Sequence, residues 1–126
     1  MFNDSNKAIY LQIADTICDK VLDGSYAPGD RLPSVREYAA TVEVNANTVM
    51  RSYEYLAARD VIANKRGIGF FVTPAAPDVV KTMRNEELLE KEIFSVFRRL
   101  RLLGVSPDSL KAKYEQYLQN PNPDQQ

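Results

Sequence analysis

The sequence predicts a mainly α-helical fold with one small β-hairpin, followed by a short two-helix appendage. Three observations carry that expectation. A short serine-capped helix is separated from a second helix by a tight turn. Two β-rich runs flank a basic, glycine-containing loop. After a proline-bounded break, apolar residues recur at helical spacing to near the end of the chain.

Composition narrows the function before any element is placed. The 126 residues carry 16 Lys+Arg against 17 Asp+Glu, one Cys and no His. Without histidine there is no imidazole base, no Ser-His-Asp or Cys-His nucleophile pair and no His-containing metal site. A single cysteine excludes an intrachain disulfide and any CxxC zinc or redox site, and suits a reducing compartment. The first residues lack the basic and apolar regions of a signal peptide, and no apolar run approaches the roughly 20 residues of a membrane span. A soluble cytoplasmic protein with no membrane partner is expected. No catalytic, cofactor-binding or metal-ligating residue is assigned, so an enzyme is not expected. The net charge of −1 does not by itself suggest nucleic acid. Local field matters more than the sum. Over residues 34–67, Arg36, Arg51, Arg59, Lys65 and Arg66 outnumber Glu37, Glu43, Glu54 and Asp60 by one charge.

Lys7 to about Asp23 reads as an amphipathic helix, with Tyr10, Ile13, Ala14, Ile17 and Val21 on one stripe. Cys18 lies at the edge of the stripe and reads as an inert, partly buried thiol. Gly24 suits the helix end, and Tyr26-Ala27-Pro28-Gly29-Asp30 suits a turn.

Ser34 and Glu37 form the S-x-x-E pattern of a capping box, opening a short helix with a Val35, Ala39 and Val42 face. Asn45 is a good cap for the next helix, about Ala46 to Arg59. This is helix-turn-helix spacing. On the second helix Val49, Tyr53 and Leu56 cluster within about 60° and form the core side. The opposite side holds Asn47, Arg51, Glu54 and Tyr55, with Thr48 on its flank. Amide, hydroxyl and guanidinium groups in the first turns of a helix can reach base edges and phosphates in a major groove. Any surface helix also turns polar residues outward, so this face counts through its placement behind a short capped helix.

Val61–Asn64 and Phe70–Thr73 read as two strands joined by Lys65-Arg66-Gly67-Ile68-Gly69. The tip carries Lys65 and Arg66, and Gly67 permits close backbone approach to another surface. Cations at such a tip suit a passing phosphate backbone, although an exposed turn is often simply charged.

Several separated motifs now stand in order: Ile9-Tyr10-Leu11-Gln12-Ile13; Pro28-Gly29-Asp30-Arg31-Leu32-Pro33-Ser34-Val35-Arg36; Asn45-Ala46-Asn47-Thr48-Val49; and Arg66-Gly67-Ile68-Gly69-Phe70-Phe71-Val72. Over about residues 5–74 they resemble the winged-helix domain of GntR-family bacterial transcription regulators. The short remainder resembles the YtrA-like branch, whose members carry a small helical dimerisation appendage. The resemblance implies a winged helix-turn-helix that binds double-stranded DNA. It implies that Arg36 contacts DNA from the first helix of the motif. Asn45, Asn47 and Thr48 would touch phosphates and bases, and Gly67, preceded by Arg66, would reach the minor groove. Ala46 and Met50 depart from the arginine or other polar reader found there in many members of other branches. Arg51 is then the one basic group on the exposed face, and its role is inferred from helical angle as well as from the resemblance.

After Pro74-Ala75-Ala76-Pro77 the pattern changes. Asp78 to about Leu103 reads as one long helix with Leu89, Ile93, Val96, Phe97 and Leu100 on a stripe, and Leu88, Phe94 and Leu102 outside it. Gly104 ends it, and Ser106-Pro107 opens another helix whose Leu110, Tyr114, Tyr117 and Leu118 are expected to fold back on the first. Two helices cannot cover so many apolar groups, so a homodimer is expected through Leu88, Leu89, Ile93, Phe94, Phe97, Leu100, Leu102 and Tyr114. Packing of these groups on the first domain of the same chain is the alternative. The expected organisation is a DNA-binding domain at 1–76, a helical dimerisation region at 77–119 and a disordered tail at 120–126. Some 50 residues beyond the hairpin leave little room for the roughly 300 Å³ of a conventional effector pocket, and a small effector at the dimer interface remains open. The function expected is sequence-specific transcription regulation, as a repressor on an inverted-repeat operator. The alternative is a winged helix that docks another protein.

Overall fold

In the computed structural model, which describes residues 7–121, six helices and one hairpin follow one another along the chain. They are α1 (Ile9–Leu22), α2 (Val35–Val42), α3 (Ala46–Ala58), β1 (Ile62–Lys65), β2 (Gly69–Val72), α4 (Ala76–Glu87), α5 (Ile93–Leu102) and α6 (Pro107–Gln119). A π turn, Leu88–Glu92, lies between α4 and α5. The chain divides into two units, residues 7–84 and 85–121 of those described. Each is taken by itself below.

The first unit forms around α1 and α3. Ile13, Ile17, Val21, Val49, Tyr53 and Leu56 are buried together, as the two helical stripes require. Val61, Ile62 and Val72 bring in the hairpin, and Leu32 the loop before α2. Tyr53 links the parts. Its hydroxyl donates to the Pro33 carbonyl at 2.7 Å, and its ring meets Tyr38 and Phe70 edge-on at 6.2 and 5.0 Å. Ser52, also buried, donates from Oγ to the Tyr10 carbonyl at 2.7 Å, joining α3 to α1.

The local signals act where expected. Ser34 Oγ accepts from the Glu37 N–H while the Glu37 carboxylate accepts from the Ser34 N–H, both at 3.1 Å. Asn45 Oδ1 accepts from the Asn47 N–H at 2.7 Å and caps α3. The turn between α2 and α3 closes through Glu43, a left-handed residue at φ 58°, without a glycine.

Several expectations need correction. The buried face of α2 is Tyr38 and Ala39, with Val35 and Val42 only half-buried, because Tyr38 is drawn in against Tyr53. Cys18 is fully buried in the core rather than at its edge. Tyr55, assigned to the polar side of α3, is half-buried against Tyr10. The loop before α2 does more than turn. Leu32 N–H donates to the Phe70 carbonyl and Val72 N–H to the Asp30 carbonyl, both at 2.9 Å, and Arg31 bridges Phe71. The loop therefore borders β2 on the side away from β1.

The first unit continues into α4. Ala76 and Val80 are fully buried in the first core, and Arg84 donates to the Asp15 carbonyl at 3.0 Å and to Asp19 Oδ1 at 2.8 Å. In the second unit the expected single long helix is interrupted by the π turn. Beyond that wider turn Ile93, Val96 and Leu100 of the expected stripe are half-buried, while Leu89, within the turn, and Phe97 are exposed. Ser106 caps α6, accepting from the Ser109 N–H at 3.1 Å, with Pro107 at the first position. The helix does not fold back as expected: of its apolar face only Leu110 is half-covered, while Tyr114, Tyr117 and Leu118 are exposed. Residues 120 and 121 are irregular, and the rest of the expected disordered tail lies outside the described residues.

Candidate nucleic-acid interface

The residues singled out in the first unit fall on three consecutive pieces: α2, the start of α3 and the hairpin. Arg36 is exposed in the first turn of α2, directly behind the Ser34 cap. The capping box sets where that turn begins, and with it the direction of the Arg36 side chain. Glu37, whose carboxylate accepts the Ser34 N–H, is held below the usual glutamate range by that bond.

Asn45, Asn47 and Thr48 stand together at the N-terminus of α3. The Asn45 oxygen is committed to the cap, leaving its amide N–H groups as donors. Asn47 is exposed and Thr48 half-buried. Backbone N–H groups at this helix end add a local positive field.

Arg51 is exposed one turn further on, and its guanidinium carbon lies 3.9 Å from the centroid of the Tyr10 ring. Tyr10 in turn meets Tyr55 edge-on at 6.1 Å, and Arg59 stacks over Tyr55 at 3.5 Å. Tyr10 thus belongs to the surroundings of Arg51. Helical angle within α3 could not reveal this, because the partner comes from α1.

The hairpin pairs Ile62 with Val72, Ala63 with Phe71, Asn64 with Phe70 and Lys65 with Gly69. Ile62 and Val72 face the core, which turns Ala63, Lys65 and Phe71 to the outer face. The Lys65 ammonium lies 4.4 Å from the Phe71 ring centroid. Arg66 and Gly67 form the exposed tip, with Gly67 at φ +78° and open space where a side chain would begin. Arg31, which was not among the expected site residues, reaches this face too. A Cβ added at Gly69 would lie 3.0 Å from the Arg31 Nε. Its signal in the sequence was the PGDRLPS segment itself, whose pairing with β2 is a tertiary event.

In the second unit, Leu88, Leu89, Phe94, Phe97, Leu102 and Tyr114 are exposed, while Ile93 and Leu100 are half-buried. Phe94 and Phe97 meet edge-on at 6.1 Å. Among the described residues no cluster of His, Cys, Asp or Glu could hold a metal ion, and no helix is long and apolar enough to cross a membrane.

Known proteins share this arrangement. Residues 9–72 match the family model of bacterial regulatory proteins, gntR family. The chain is 35% identical over 107 residues to the HTH-type transcriptional regulator YhcF of Bacillus subtilis, covering 84% of this chain and 86% of that protein. It is 36% identical over 88 residues to the HTH-type transcriptional repressor YtrA of the same organism, covering 67% and 68%. A crystal structure of a GntR-family regulator from Bacteroides thetaiotaomicron superimposes with a TM-score of 0.81 at 52% identity, covering 91% of this chain and all of that one. With its winged helix-turn-helix and its helical C-terminal unit, this chain belongs to the GntR family of bacterial transcription regulators, with YtrA among its relatives.

Proposed function

We propose that the protein is a homodimeric repressor that binds an inverted-repeat operator in double-stranded DNA. The observation that carries the reading is the set of exposed polar and basic side chains that one domain presents at the start of α3 and at the hairpin tip. In this reading α3 enters the major groove. Asn47 and Arg51 reach base edges, where a carboxamide matches adenine and a guanidinium matches guanine. Arg36, Asn45 and Thr48 hold the flanking phosphates. Lys65 and Arg66 bring the wing to the adjacent minor groove, where Gly67 lets the backbone approach closely.

The second unit supports the dimer. Phe94 is 61% exposed, Leu102 75% and Tyr114 62%. A second copy carries the same apolar surface and covers such a face by two-fold symmetry. Two recognition helices related by that axis read half-sites about one turn of duplex apart, roughly 34 Å. The repressor assignment follows YtrA of B. subtilis, which is known as a repressor.

The test begins with selection of bound duplexes from a random-sequence pool, followed by titration of the enriched sequence. An enriched inverted repeat, bound by two chains and lowering transcription when placed over a promoter, supports the reading. Phe94→Asp should shift the chain to monomer in sedimentation and weaken operator binding. A pool with no enrichment at low salt would overturn it and favour a winged helix that docks protein, which a net charge of −1 suits.

A further inference from the structure

Arg31 precedes the helix-turn-helix and belongs to neither the recognition helix nor the hairpin, yet the fold delivers it to the wing. Its backbone bridges Phe71 in the antiparallel sense, flanked by the hydrogen bonds of Leu32 to Phe70 and of Val72 to Asp30. Residues opposed in an antiparallel ladder send their side chains to one face. Arg31 therefore shares the outer face with Phe71 and with Lys65, whose ammonium lies over the Phe71 ring.

The Arg31 side chain runs along that face towards the tip. Its Nε, Nη2 and Cζ lie 3.0, 3.4 and 3.6 Å from where a Cβ on Gly69 would stand. The guanidinium thus rests on the bare backbone of Gly69, whose φ of +139° also favours glycine. Gly69 is the cross-strand partner of Lys65, and the turn through Arg66 begins immediately beyond. Arg31 and Lys65 consequently share one face of the wing at Gly69, with Arg66 next in the chain at the exposed tip.

Among the described residues Arg31 donates no side-chain hydrogen bond and makes no ion pair. Glu37, a carboxylate whose ionisation Arg31 favours weakly, is already bonded to the Ser34 N–H at 3.1 Å. Like charges gathered at an exposed edge repel one another, and an approaching anion relieves that repulsion. Their spread along the edge of a sheet suits a chain of phosphates better than a single small ion.

We propose that Arg31 is a further contact to the DNA phosphate backbone, and that Gly69 is the seat that lets its guanidinium reach the wing tip beside Lys65. The duplex is then held along the outer face of the wing as well as at its tip. This rests on the DNA-binding reading above.

The test is anisotropy titration of a labelled duplex of arbitrary sequence with the full-length chain, repeated over a series of salt concentrations. Wild-type binding at low salt checks the underlying reading. Arg31→Ala should weaken binding about 3- to 10-fold and reduce the slope of log affinity against log salt by about 0.9, the signature of one lost phosphate contact. Arg31→Lys should restore the slope. If Arg31→Ala loses its cooperative thermal transition, Arg31→Gln, which keeps a stem over Gly69 without the charge, serves in its place. Unchanged affinity and slope in a folded, uncharged variant, with the wild type binding normally, overturn the role of Arg31. Failure of the wild type to bind any duplex overturns the DNA reading and this proposal with it.

Discussion

The guanidinium of Arg51 stacks on the ring of Tyr10, 3.9 Å from its centroid, so an exposed arginine of α3 is oriented by an aromatic residue of α1. Tyr10 is itself tied down, its carbonyl accepting from Ser52 Oγ and its ring meeting Tyr55. An exposed stack of this kind contributes about 0.5–1 kcal/mol and restricts the arginine before any ligand arrives. Arg51→Ala should cost roughly 1–3 kcal/mol on the selected operator and much less on unrelated DNA. Tyr10→Leu should reduce the ratio of specific to non-specific affinity in the same direction, while Tyr10→Phe should preserve it. Equal weakening of all sequences by Arg51→Ala would make the residue a phosphate contact instead.

Tyr53→Phe isolates one hydrogen bond. The ring contacts to Tyr38 and Phe70 survive, but the Pro33 carbonyl loses its donor. We expect a loss of about 1–2 kcal/mol in urea unfolding with an unchanged m-value. A neutral result would show that water replaces the hydroxyl at Pro33.

Acid should erode the start of α2. The Glu37 carboxyl is held below its ordinary range, first by the backbone N–H of Ser34 and then by its side chain. A lowered folded-state value means that this stabilisation is present above the unfolded value and is lost as pH falls through the folded one. Asp23, bonded to the Ser25 N–H at 2.8 Å, is lowered in the same sense. Thermal midpoints should therefore decline below about pH 4.3, and Glu37→Gln should flatten part of that decline. An identical acid profile for the variant would show that the box does not persist in solution.

At the alkaline end the sign reverses. Burial pushes the Cys18 thiol up from 9.0 to about 11, and burial raises Tyr38 and Tyr53 as well. The unfolded groups ionise first, so stability holds below about pH 9 and falls as pH rises towards 11. Cys18→Ala should remove part of that fall. Native Cys18 should also resist a thiol reagent near neutral pH and react fully in denaturant. Rapid native modification would mean that the α1 core opens readily.

The readings that succeeded concern groups close together along the chain. A serine three residues before a glutamate, an asparagine before a helix and a serine-proline pair each act through backbone groups one turn away. The apolar faces of α1 and α3 followed for the same reason, since helical angle is a local property. The corrections concern partners distant in sequence. Tyr55 was assigned outward because nothing within α3 indicates that Tyr10 covers it. The burial of Ala76 and Val80 likewise depends on a core formed by elements much earlier in the chain.

By itself, then, the sequence determined the helix-turn-helix, the hairpin and the buried Val49, Tyr53 and Leu56 face of α3, because caps, turns and periodicity act over a few residues. Tertiary structure alone decided that Tyr10 orients Arg51, that Tyr53 ties α3 to Pro33, and that Arg31 lies on Gly69 beside Lys65. Each of those contacts joins segments from different elements. Their pairing is set by packing of the shared core and by the register of β2, neither of which is written in any one stretch of chain.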